Sequence, residues 1–316
     1  MGLILLGIVG LVFIRKDSNG NNLFFGPQLT LRTTTTHLTT NNLSHSKWPI
    51  NKLVVVPAMW KEIDWSNQSS WPLWLRAGLH MTGNNSVPYR VHLYQRIDPQ
   101  SRPPYNWPYC RNVKQEAGVY LQFIYDYYYD LPEKILFIHG DPFTHSPHPI
   151  EAALCIRDDV HYASVNSFWI QDRPWIVWRR DPISQISLLY HCASRLLKLL
   201  GYDAELQLNP TKINPKDTNL ISTYCCAQFY VTKQRIHHYT YEQWSKLYHV
   251  SQEPYCTAEH VPEKTGIPEE KRFGVAFEHL WHVILGLHST NMQPSINGTN
   301  TDRCHLFRLS CAGSPC

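Results

Sequence analysis

Apolar and polar positions along the chain follow two periods, and the change from one to the other marks the elements. KLVVVPA (52–58) is short, β-branched and bounded by polar residues, which predicts a buried strand. YRVHLYQ (89–95) alternates and predicts a second strand. SRPPYNWP (101–108) holds three prolines and reads as a loop. Val113, Ala117, Tyr120, Leu121, Ile124 and Tyr128 fall at helical spacing, so residues 113–129 are expected to form an amphipathic helix ending near Leu131-Pro132. KILFIH (134–139) is the clearest strand and stops at Gly140-Asp141-Pro142. A helix over 183–200 ends at Gly201. TYCCAQFYVT (223–232) predicts a strand and TYEQWSKLYHV (240–250) a helix. A last helix covers 273–285, with Phe273, Ala276, Phe277, Leu280, Trp281 and Ile284 on one side.

Strands alternating with helices predict an α/β fold, a mostly parallel sheet with helices on both faces. Ligands in such folds sit beyond the carboxyl ends of the strands. The residues just after KILFI therefore carry the most functional weight.

Outside that body the pattern fails. Residues 2–14 (GLILLGIVGLVFI) are apolar and uncharged, with Arg15 and Lys16 directly after them. As a helix this run spans about 20 Å, short of a bilayer core of about 30 Å, and its length suits a signal-peptide core. Residues 1–16 are expected to be a short membrane anchor or signal, which implies a membrane or secretory-pathway location, the Golgi or ER lumen. The alternative is an apolar terminal strand. Residues 17–50, with TLRTTTTHLTT, read as a Thr/Asn-rich stem. Residues 51–286 are expected to be a single α/β globular domain and 287–316 a Cys-containing tail.

Composition narrows the class. Hydrophobic residues are 43% of the chain and aromatics 13%, enough for a sizeable core. Lys and Arg number 29 against 25 Asp and Glu, a formal charge of +4. That is too mild for the basic stripe of a nucleic-acid protein, so no nucleic-acid partner is expected. The nine cysteines include no CxxC pair, which argues against a zinc ribbon. Their odd number leaves at least one free thiol, and Cys304, Cys311 and Cys316 have the most disulfide-like spacing. Sequons stand at Asn42, Asn67, Asn84 and Asn297.

Three constellations carry candidate chemistry. HGDPFTHSPH places His139, Asp141, His145 and His148 at a strand end, and imidazole with carboxylate suits a divalent transition metal. FEHLWH puts Glu278 and His282 four apart on one helical face, a base–orienter or ligand pair. NVKQEA opens a helix, with Asn112 as N-cap and Gln115 at the capping-box position; the positive end of that helix suits an anionic group. Each has a plain structural alternative: a His-rich loop, a buried polar network, or capping alone. No P-loop, GxGxxG, GxSxG or kinase signature is present.

NVKQEAGVYLQFIYDYYYDLPEKILFIHGDPFTH (112–145), YCCAQFYVTKQRI (224–236) and FGVAFEHLWHVILG (273–286) together resemble, in order and spacing, the three blocks of the domain-of-unknown-function family 3431. The resemblance covers about residues 52–286. Lys114 and Gln115 stand where the family pattern usually carries Gly and Arg. The first two blocks are in turn similar to segments of glycosyltransferases. That similarity implies a GT-A-like, nucleotide-sugar-type fold. It also implies a divalent metal such as Mn²⁺ held by Asp141, His139 and His282, with Glu278 and Asp141 as catalytic carboxylates. Asn112, Lys114 and Glu116 would bind the nucleotide-sugar donor, and the acceptor would be a glycan or glycoprotein. A non-catalytic carbohydrate-binding or structural protein on the same fold is the alternative, and a metal-dependent hydrolase built on His139, Asp141 and His145 is a third reading. All of this expects the loop after KILFIH and the final helix to share one cleft.

Overall fold

The computed structural model describes residues 14–16, 22–24, 48–83, 87–98, 101–167, 169–174, 185–209, 220–224, 227–254, 256, 269–286 and 308. The chain divides into two compact units, Met1–His45 and Ser46–Cys316. In the first, β1 (Ile14–Lys16) pairs antiparallel with β2 (Asn22–Phe24). The second contains, in order, β3 (Leu53–Ala58), α1 (Leu73–Gly78), β4 (Tyr89–Val91), β5 (Gln95–Ile97), β6 (Tyr109–Arg111), α2 (Gln115–Tyr127), β7 (Lys134–His139), α3 (Pro149–Cys155) and β8 (Tyr162–Ser164). There follow β9 (Trp169–Pro174), α4 (Gln185–Leu199), α5 (Ala204–Leu208), β10 (Leu220–Tyr224), β11 (Phe229–Thr232), α6 (Lys233–Ile236), α7 (Tyr241–Gln252) and α8 (Glu269–Ile284).

The central sheet has the order β4-β3-β7-β11-β8. β4, β3 and β7 run parallel, whereas β11 is antiparallel to both β7 and β8. The sheet is therefore mixed, not mostly parallel as its pattern predicts. Two-stranded sheets β5-β6 and β9-β10 accompany it. Alternation along each strand sends side chains to opposite faces. Val54, Val56, Ala58, Ile135, Phe137, Phe229 and Val231 join one core with residues of α2, α4, α7 and α8. Leu53, Val55, Leu136, Ile138 and Tyr230 join a second core with Trp71, with Leu75 of α1 and with Ile150 and Ala153 of α3. Helices thus cover both faces, and the fold is α/β.

Local chemistry explains the helix ends. Thr240 and Gln243 form a reciprocal capping box at the start of α7. Gly201, at φ 87°, takes the left-handed turn that ends α4. The last carbonyls of α8 are satisfied by tyrosines: Tyr239 Oη donates to Ile284 O at 2.7 Å and Tyr202 Oη to Val283 O at 3.2 Å. A disulfide joins Cys192 of α4 to Cys256 beyond α7. Cys110 is the free cysteine among the described residues, and burial pushes its thiol up to about 12.

Two expected strands each prove to be two. YRVHLYQ divides into β4, in the central sheet, and the start of β5, which pairs with β6. TYCCAQFYVT divides into the end of β10, paired with β9, and β11. The membrane anchor needs correction: among the described residues no helix is long and apolar enough to cross a membrane. Ile14–Lys16, at the end of the expected anchor, is a strand. Among the described residues nothing supports membrane attachment through the N-terminal segment, or the secretory-pathway, Golgi or ER location drawn from it. Residues 1–13, most of the expected stem and the cysteines at 304, 311 and 316 lie outside the described residues. In the tail, Arg308 donates its amide to Cys155 O at 2.8 Å and its guanidinium to Asp158 at 2.7 Å.

Candidate functional site

The parallel strands β3 and β7 end side by side, with Ala58 paired to His139. Past them the chain turns through Gly140, Asp141 and Pro142. Gln228, fully buried just before β11, fixes that turn. Its Oε1 accepts from the His139 amide at 3.2 Å, while its Nε2 donates to Pro142 O at 3.1 Å and to Asn166 Oδ1 at 3.0 Å. The turn is thus held from the sheet and not from solvent.

Beside it lies a cavity of about 180 Å³, lined by Ala58, Glu62, Arg96, Glu116, His139, Gly140, Asp141, Thr144 and His145. Glu62 is held by the Trp60 amide, which donates to Oε2 at 2.5 Å. Its carboxylate packs on Gly140: a Cβ there would lie 2.6 Å from Glu62 Cδ. Only glycine leaves room for this approach. Asp141 is exposed and accepts from Thr144 Oγ1 at 2.7 Å. The His139 and His145 rings meet edge to face, with centroids 4.8 Å apart. Burial chiefly, and His145 next, press the His139 imidazole down to about 4, against a smaller opposing pull from Asp141. His139 is therefore neutral near pH 7, and its Nε2 has no hydrogen-bond partner.

A second cavity of about 640 Å³ lies against Trp60, Arg96, Asn112, Val113, Lys114, Gln115, Glu116, Gln252, Glu253 and Pro254. Arg96 and Glu116 line both cavities. Arg96, on β5, is only 7% exposed, and its Nε has no partner. Glu116, in the first turn of α2, leaves Oε1 without one. Burial lowers the Arg96 pKa although Cys110, Glu116 and Glu62 oppose it, and burial raises that of Glu116 although its own backbone amide and Arg96 oppose that. For both groups desolvation outweighs mutual attraction, so neither charge is fully compensated.

The start of α2 is strained. Lys114 and Gln115 adopt φ 57° and 55°, in the left-handed region that favours glycine. Lys114 is the N-cap, and no side chain caps the helix. Asn112, expected in that role, stands two residues earlier and lines the larger cavity. Lys114 Nζ donates to Pro254 O at 3.2 Å and lies 5.8 Å from the centre of the Phe273 ring. Gln115 packs on Gly274 of α8, where a Cβ would fall 2.0 Å from its Oε1.

Of the residues expected to act, His139 and Asp141 line the small cavity, Asn112 and Lys114 the larger, and Glu116 both. Glu278 and His282, on α8, line neither. His282 is buried at 1% exposure, and Glu278 is half-buried, with its charge felt at the Tyr120 phenol. The metal expectation is corrected: among the described residues no group of three or more His, Cys, Asp or Glu side chains could hold a metal ion. Asp141, His139 and His282 do not form a Mn²⁺ site: His139 and Asp141 line the small cavity, whereas His282 is buried on α8 and lines neither. A hydrolase relying on a metal held by His139, Asp141 and His145 loses its basis with it.

Arg96, Glu62 and Gln228 escaped the sequence reading. No local signal marked Arg96, because Arg90 in the same stretch is exposed.

The family model described as a protein of unknown function, DUF3431, matches residues 55–156 and 203–302. More than half of the chain is matched, and the chain belongs to that family. No curated protein and no solved structure matches it significantly.

Proposed function

We propose that this member of the DUF3431 family is a glycosyltransferase-like enzyme that works without a metal, taking a sugar from a nucleotide donor to a glycan or glycoprotein acceptor. The observation that carries the reading is Arg96, buried, incompletely compensated and common to two cavities beside the ends of parallel strands. That is where α/β folds, including nucleotide-sugar folds of the GT-A kind, take their ligands. The larger cavity has the size of a small-molecule site. Arg96, Lys114 and the uncapped amino end of α2 supply the positive field for a diphosphate there.

Glycosyl transfer needs two services. The departing diphosphate must be neutralised, and the acceptor hydroxyl must lose its proton. In this reading the acceptor oxygen bonds to the anomeric carbon as the carbon–oxygen bond to the diphosphate breaks. The electron pair leaves with the diphosphate, held by Arg96. The hydroxyl proton passes to Glu116, whose carboxylate burial makes more basic than a solvated one. Glu116 takes this role in place of Glu278, which lines neither cavity.

Calorimetric titration with UDP and GDP, with and without Mn²⁺, tests the proposal. Binding that is indifferent to Mn²⁺, weakened at least tenfold in Arg96→Gln and retained in Glu116→Gln, is expected. Glu116→Gln should abolish turnover with radiolabelled donor sugars. Absence of any nucleotide affinity in the folded wild type overturns the reading.

The Trp and Tyr content gives less support to a non-catalytic carbohydrate binder. Trp71, Trp244, Trp281, Tyr94, Tyr120 and Tyr230 are among the most completely buried side chains, where their faces meet other core residues.

A further inference from the structure

Arg96 and Glu116 sit where the small cavity meets the large one. A diphosphate gripped by Arg96 from the larger cavity would hold its glycosyl substituent next to the small one, which shares that arginine. The small cavity is mainly polar. It offers the carboxyl groups of Glu62, Glu116 and Asp141, the hydroxyl of Thr144 and the imidazoles of His139 and His145. Three acidic groups face one permanent cation, Arg96. At about 180 Å³ the space equals roughly six water volumes, which suits one small polar molecule.

Two independent features show that the space is built. Arg96 is more than nine-tenths buried yet keeps Nε unpaired, and Glu116 Oε1 and His139 Nε2 are unpaired beside it. Gly140 gives up its Cβ position to the Glu62 carboxylate, which could not otherwise reach the cavity wall.

We infer that the small cavity is a monosaccharide subsite that accepts a neutral or amino sugar and rejects a uronic acid. Carboxylates accept hydrogen bonds from sugar hydroxyls and attract an ammonium group. A sugar carboxylate would meet the carboxylates of Glu62 and Asp141 as like charges. The inference deepens the donor reading above and rests on it for the placement of the diphosphate.

The experiment compares UDP, UDP-glucose and UDP-glucuronate by calorimetry, and free glucosamine and glucuronate by saturation-transfer NMR. UDP-glucose is expected to bind at least tenfold tighter than UDP, and UDP-glucuronate no tighter than UDP. Glucosamine, and not glucuronate, should show transfer. Glu62 is exposed, so Glu62→Gln keeps the fold, which thermal melting verifies; it should narrow the glucose–glucuronate gap at least threefold. Gly140→Ala should push Glu62 aside and remove the glucosamine signal while UDP affinity stays within twofold. Equal affinities for UDP-glucose and UDP-glucuronate in the wild type overturn the inference and leave the nucleotide site standing. If no nucleotide binds but glucosamine is still preferred over glucuronate, the donor reading fails and the sugar subsite stands. If neither free sugar gives a signal and the sugar adds nothing to nucleotide affinity, the inference is overturned.

Discussion

Gln228 Nε2 donates to the carbonyl oxygen of Pro142 at 3.1 Å, across 86 residues of sequence and wholly inside the protein. With its Oε1 on the His139 amide, this one side chain spans the four-residue turn that carries Gly140 and Asp141. Replacing it by Leu keeps the volume but strands the Pro142 carbonyl and the His139 amide. Unsatisfied buried groups of this kind cost about 1–3 kcal/mol each, partly recovered by relaxation. Gln228→Leu is therefore expected to lose about 2–4 kcal/mol, read as a lower urea midpoint at unchanged slope. A loss below about 1 kcal/mol would show that the turn holds itself.

Gly118 lies in the second turn of α2, where alanine ordinarily gains about 1 kcal/mol over glycine. Here an added Cβ would fall 2.3 Å from the carbonyl oxygen of Val113. That oxygen is backbone and cannot swing away. The clash should win, and Gly118→Ala should destabilise by about 2 kcal/mol in chemical denaturation. A more stable variant would contradict the packing at the start of α2.

The bond between Cys192 and Cys256 closes a span of 64 residues. Chain-entropy arguments assign such a loop about 4 kcal/mol. Reduction, or the double change to alanine, should lower the urea midpoint by an amount equivalent to about 2–5 kcal/mol. The bond ties α4 to the segment beyond α7, so amides of α4 should lose hydrogen-exchange protection before those of β3 and β7.

The depressed pKa of His139 has a defined pH signature. The unfolded imidazole takes its proton near 6.5 and the folded one near 4. Between those values the unfolded state holds more protons, so stability is full above about 6.5 and declines as pH falls toward 4. The decline is at most about 3 kcal/mol. Glu116, raised in the folded state, acts in the opposite sense: its contribution is present below about 4.5 and is lost as pH rises through its folded pKa. His139→Asn should flatten the acid limb of a melting-temperature profile between pH 4 and 6.5, and an unchanged limb would assign it to other groups.

The sequence exposed what periodicity can expose. β3 and β7 are continuous apolar runs, and α2, α4, α7 and α8 carry apolar stripes. Each element lies within a few residues of its expected place. The failures have a common cause. YRVHLYQ is interior along most of its length, so alternation could not tell that Tyr89–Val91 pairs with β3 while Gln95 pairs with Tyr109. TYCCAQFYVT likewise serves two sheets, with the inward Gln228 between them. Strand partners are tertiary facts, and the direction of β11 follows from them. At the site, His139 and Asp141 were legible as a polar cluster after a strand. Arg96 was not, because nothing local says that an arginine in an alternating run faces inward. His282 erred the other way: an imidazole at helical spacing from a carboxylate looks chemical, yet it lies within the α8 packing.

The reversal of direction between β7 and β11 sets who controls the mouth of the pockets. An all-parallel arrangement would bring only outgoing segments to that rim. Here an incoming strand delivers its amino end to the same place, so Gln228, from late in the polypeptide, grips a turn made much earlier. The rim is a splice between distant halves of the gene product, and it can form only after both halves have docked.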